Sequence, residues 1–127
     1  MILFIDTTNQ DLVRLVLFSA KQKFEHHFAN ANLSENIISE IKNFCKKNSI
    51  KLSQLEKIMV VRGPGSFSKI RTAVAVANSL AFGLGILVVG IRSSEAENFE
   101  KQEGLKGKKM TIPLYDKKPN ITRPKSI

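Results

Sequence analysis

KIMVVRGPGSFSKIRTAVAVANSLAFGLG, residues 57–85, contains the junction from which the architecture can be read. Residues 57–61 form a short apolar, β-branched run, which predicts a strand. The run passes straight into Gly63-Pro64-Gly65. Ser66 then stands where a helix N-cap belongs. Apolar residues recur at helical spacing to about Phe82 or Gly83, where Gly83 and Gly85 stop the helix. Two glycines beside a serine at a helix mouth also suit a phosphate loop, which aims several backbone N–H groups at one anion. Pro64 supplies no N–H. Neither GxxxxGK(S/T) nor GxGxxG is present. A tight strand-to-helix turn accounts for both glycines and for Ser66, and the residue chemistry favours that reading over an anion site.

The rest of the chain supplies more strands and one more helix. Residues 2–5 are apolar and end in the turn-forming cluster Asp6-Thr7-Thr8-Asn9. Residues 12–18 and 21–28 follow over short polar links, which predicts an antiparallel meander. Leu33, Ile37, Ile38, Ile41, Phe44 and Cys45 mark a helix that Asn32 or Ser34 can cap. Residues 86–91 read as a strand buried on both faces, and Ser93 or Ser94 can cap a short helix through Glu100. The order βββ-α-β-α-β predicts an α/β fold with a mixed five-stranded sheet. Residues 1–100 form one lobe in this reading. Residues 101–127 are a linker, QEGLKGKK, and a basic extended C-terminal tail that holds three of the four prolines.

Composition narrows the function. At 127 residues and 43% hydrophobic the chain suits one soluble core. No apolar run is long enough for a membrane span, and MILFIDTTNQ lacks the features of a signal peptide. Cys45 is the single cysteine, which fits a reducing cytoplasm. The net charge is +9, and residues 101–127 hold eight of the 20 Lys and Arg but two of the 11 acids. Such a tail suits an acidic partner such as RNA, although a solvated lysine-rich tail needs no partner.

No catalytic constellation emerges. His26 and His27 are adjacent on an expected strand, so they point to opposite faces and cannot share a metal. Cys45 lies on an apolar helix face as a buried, inert thiol. Asp6 suits a local turn, and nothing pairs a nucleophile with a base. No metal or cofactor is expected.

The second helix carries a different signal. Stepping about 100° per residue puts Ile70, Ala73, Val74, Ala77, Leu80, Ala81 and Leu84 on one face, fit to cover the sheet. Thr72, Ala75, Val76, Ser79 and Phe82, joined by Gly83, form the other face, which is uncharged and mostly small. Small residues let another helix approach closely, and Phe82 can anchor it. This face is therefore the candidate partner interface.

GPGSFSKIR, between an apolar strand and an Ala-rich helix, resembles the GPGSFTGLR signature of the TsaB family. FIDTT is similar to that family's IDTS turn, VVGIRSS to its GVSSL ending, and IPLYDKKPNIT to its C-terminal PxYxRxPNIT. The signature maps onto Arg62, Gly63, Pro64, Gly65, Ser66, Phe67 and Arg71, with Ser68 in place of its threonine and Lys69 in place of its glycine. The resemblance implies a single RNase H-like (actin-like ATPase) lobe. It also implies a non-catalytic subunit of bacterial tRNA threonylcarbamoyladenosine modification. The implied partners are a TsaD-like catalytic subunit, a TsaE-like ATPase, and a second copy of the chain when the others are absent. The family has two lobes and this chain has room for one, as if most of the second had been deleted. Nucleotide binds between lobes in actin-like folds, so the resemblance also argues against ATP here. TsaD holds its metal with a His-x3-His pair that this chain lacks. The alternative is a small ATP-binding or metallopeptidase-like enzyme of the same superfamily.

Overall fold

The computed structural model describes residues 1–114. Five strands, β1 (Ile2–Asp6), β2 (Leu12–Phe18), β3 (Lys23–Ala29), β4 (Lys57–Gly63) and β5 (Leu87–Arg92), form one sheet in the order β3-β2-β1-β4-β5. The first three make the expected antiparallel meander, with Leu3 opposite Leu17 and Val16 opposite Glu25. β4 joins β1 in parallel and β5 joins β4 in parallel. Each parallel step needs a crossover, and the helices α1 (Leu33–Lys47) and α2 (Phe67–Leu84) supply them.

Both faces of the sheet are covered, which is why β1 and β4 are apolar without alternation. Leu3, Ile5, Leu15, Leu17, Ile58, Val60 and Val88 lie in one core with Ile37 and Ile41 of α1 and Ile70, Ala73, Ala77 and Ala81 of α2. Phe4, Val16, Phe18, Met59, Val61, Val89 and Ile91 form the second core. Ala96 and Phe99 close that core from a 3-10 segment, Ser93–Gln102, which is broken at Asn98. The Phe99 ring stacks on Phe4 at 4.2 Å and meets the edge of Phe18 at 5.2 Å.

Three capping expectations are corrected. Asn32 and Ser66 occupy the N-cap positions of α1 and α2, but neither side chain makes a cap hydrogen bond. Asn32 is left-handed, with φ 54°. The segment after β5 is 3-10 and begins behind Arg92, whose N–H donates to the Glu95 carboxylate at 2.9 Å. Ser93 caps nothing, because its hydroxyl donates to the Pro64 carbonyl. Two-sided burial of the last strand holds for Val88, Val89 and Ile91 but not for Leu87, which is exposed at the sheet edge.

The stretch read as a linker is tied to the lobe. Lys57 Nζ donates to the carbonyls of Glu103 and Leu105 at 2.9 and 3.0 Å. Lys108 exchanges two backbone hydrogen bonds of 2.8 Å with Val88. Residues 107–114 run as a strap to the end of β4. The remainder of the sequence tail, from Tyr115, lies outside the described residues.

Candidate functional site

The signature loop sits at the C-terminal end of β4, beside the Asp6-Thr7-Thr8 turn that ends β1. Asp6 Oδ1 accepts from the Thr8 N–H at 2.9 Å and from its hydroxyl at 2.5 Å, which is the local turn the sequence suggests. Thr7 is buried and donates to the Lys69 carbonyl at 3.3 Å. Lys69 Nζ reaches the Gln10 carbonyl at 2.8 Å, so this departure from the signature fastens the β1–β2 turn to α2.

The strap occupies the other side of the loop. Arg62 is gripped twice: its carbonyl accepts from the Leu114 N–H at 2.6 Å, and its Nε donates to the Ile112 carbonyl at 2.9 Å. Gly63 has φ 116°, and a Cβ there would fall on the Leu114 carbonyl oxygen. Its peptide bond to Pro64 is cis. A Cβ at Gly65 would lie 3.4 Å from side-chain carbons of Thr8 and Ile70, and the Arg71 guanidinium lies 5.4 Å from the Phe67 ring centre. Where Gly63 leaves room, a carbonyl dipole presents its negative end. That pole opposes an anion, so the residues present do not fit a nucleotide phosphate.

Asn78 is the residue that periodicity missed. Its side chain donates to the Thr111 carbonyl and accepts the Thr111 N–H, both at 2.9 Å. The available signal was that Asn78 is the one amide side chain of the helix. Thr111 packs over Gly90, where a Cβ would come within 2.7 Å of Arg62 Cδ and overlap the Thr111 hydroxyl. With Thr111 turned inward, Met110 and Ile112 face solvent, 61% and 63% exposed.

The two faces of α2 separate in part as the periodicity places them, but Val76 of the outer set packs partly against the core. Ile70, Ala73, Val74, Ala77 and Ala81 are buried; Leu80 and Leu84 are half-buried. On the other side Ala75, Ser79, Phe82 and Gly83 are exposed, while Thr72 and Val76 are half-buried. Phe82 is 88% exposed, the largest value among the exposed large hydrophobic residues described.

The two histidines lie on opposite faces of β3. His26 stacks on Phe28 and Phe44, with Nε2 2.7 Å from Glu40 of α1. His27 points to the opposite face, 3.2 Å from Glu25. Burial pushes the Cys45 thiol up. Among the described residues, no three His, Cys, Asp or Glu side chains are grouped to hold a metal ion. No helix among them is long and apolar enough to cross a membrane.

Residues 25–112 match the family model described as TsaD, tRNA N6-adenosine threonylcarbamoyltransferase. The tRNA threonylcarbamoyladenosine biosynthesis protein TsaB of Haemophilus influenzae is 25% identical over 95 residues, covering 75% of this chain and 40% of that protein. The chain belongs to this family, on its TsaB side. The TsaB of Buchnera aphidicola is 38% identical over 50 residues, 39% of this chain and 23% of its own length. YeaZ from Pseudomonas aeruginosa superposes with a TM-score of 0.68 at 23% identity, over 81% of this chain and 49% of that one. The fold is therefore one lobe of the YeaZ/TsaB architecture. The chain spans less than half the length of these relatives.

Proposed function

We propose that the chain is a non-catalytic subunit of the machinery that installs N6-threonylcarbamoyladenosine in tRNA. It binds and stabilises a TsaD-like catalytic subunit through the outer face of α2, in the cytoplasm. Thr72, Ala75, Val76, Ser79, Phe82 and Gly83 form the contact. The observation that carries this reading is Phe82, an almost fully exposed phenyl ring on a strip of small, uncharged residues. Burying such a side chain is worth roughly 1.5–3 kcal/mol, and its small neighbours let a partner helix approach closely. A TsaE-like ATPase is a further partner of the assembly. When the catalytic subunit is absent, two copies of the chain pair through the same face. Family membership and the names of the curated relatives support the pathway.

Co-expression with a TsaD-type subunit from the same genome tests this reading, with a joint peak on gel filtration as the expected result. Separate elution at micromolar concentrations of both chains would overturn it. The loop geometry adds a second expectation. Calorimetry with ATP and magnesium should show no micromolar site, because Leu114 lies over Gly63 and Thr8 engages Asp6.

A further inference from the structure

The strap carries charge as well as position. Lys101, Lys106, Lys108 and Lys109 face one acid, Glu103, within residues 101–114. Glu100, just before them, is 2.7 Å from Lys23 and so is already paired. Lys106, Lys108 and Lys109 are exposed. Among the described residues their ammonium groups make no hydrogen bond or ion pair. The backbone that presents them is held on both sides. Lys57 fixes the Leu105 carbonyl, Val88 pairs with Lys108, and Asn78 grips Thr111. Gly107 is turned inward, where a Cβ would meet Leu87 Cβ at 2.6 Å. Lys106 and Lys108, on either side of it, therefore project outward together, roughly 7 Å apart along an extended chain. Lysines on a fixed backbone lose less freedom on binding than lysines on a free tail.

We infer that Lys106, Lys108 and Lys109 form a phosphate-contacting patch for the tRNA backbone. The contact is electrostatic and sequence-independent, as expected of lysines without an aromatic platform for base stacking. The choice of tRNA as the polyanion rests on the function proposed above; the charge arrangement does not. The α2 face takes no part in it.

Fluorescence anisotropy of labelled tRNA with the full chain alone, across a salt series, tests the inference. Each lysine–phosphate contact contributes about 0.7–0.9 to the slope of log K against log salt. Lys106→Gln, Lys108→Gln and Lys109→Gln together should lower that slope by roughly two and weaken low-salt binding at least tenfold. Ala75→Glu should bind tRNA as the parent does, which separates failure here from failure of the α2 interface. Three results would overturn the inference. The parent could fail to bind tRNA at 50 mM salt. The triple variant could keep its slope while replacing Lys117, Lys118, Arg123 and Lys125 by Gln abolishes binding. Vesicles rich in anionic lipid could capture the chain through these lysines while tRNA does not.

Discussion

At Gly90 the side chain is missing because another residue needs the space. Thr111 and Arg62 fill it, so Gly90→Ala would push the strap off β5. The expected loss is about 1–3 kcal/mol from overpacking, read as a lower melting temperature and faster amide exchange at Thr111. Asn78→Ala should cost a similar amount, about 1–3 kcal/mol, because it leaves the half-buried polar groups of Thr111 unpaired. Glu25 predicts a pH dependence. The Arg14 hydrogen bond holds its carboxyl below the ordinary value of 4.5, against the opposing effect of burial, with the charges of Arg14, His27 and Lys23 assisting. A lowered folded-state pKa stabilises the fold above the unfolded value, and the gain is lost as pH falls through the folded value. Glu25→Gln should therefore melt below the parent at pH 7, and the gap should close on acidification below pH 4.5. An unchanged gap at low pH would show that the pair contributes by packing alone. The sequence shows Gly90 and Asn78 as oddities, a glycine in a strand and the one amide side chain of α2. Their purpose was hidden because Thr111 lies 21 and 33 residues further along the chain.

At the scale of the elements, periodicity was enough to place the strands and both long helices, because each apolar run is covered by a neighbour. The meander follows from short links, the two parallel pairings from the order of the elements, and the buried side of α2 from its own periodicity. The caps did not follow. A hydroxyl or amide at a helix start can cap or can bind elsewhere, and Ser93 took the Pro64 carbonyl across the fold. The strap was legible only in part. Its extended form is expected from the sequence, but its route past Gly107, Gly90 and Gly63 depends on the assembled sheet. The α2 face supports a prediction with two readouts. Phe82→Ser removes an apolar side chain from water and not from a core, so monomer stability should stay within about 0.5 kcal/mol. Pairing with a TsaD-type subunit should weaken at least tenfold, as expected for a central aromatic anchor. A destabilised monomer would mean that Phe82 packs within the chain.

As a whole the molecule is one lobe whose sheet is closed on one side by two helices and on the other by Phe99 and its neighbours. The strap ties β4, β5 and α2 together at the end where the signature loop sits. In the proposed reading this leaves a rigid body with two outward features, an apolar helix face and a basic strap, and with no reaction of its own. On that reading the α2 face binds the catalytic subunit. Calorimetric titration of a TsaD-type subunit with the parent chain and with Ala75→Glu tests it most directly. Ala75 is exposed, so the glutamate should leave the circular dichroism spectrum and melting temperature of the isolated chain unchanged. In the seam, an unpaired buried charge costs several kcal/mol. A saturable one-to-one isotherm is expected for the parent and no measurable heat for the variant. Equal binding by the two would contradict it.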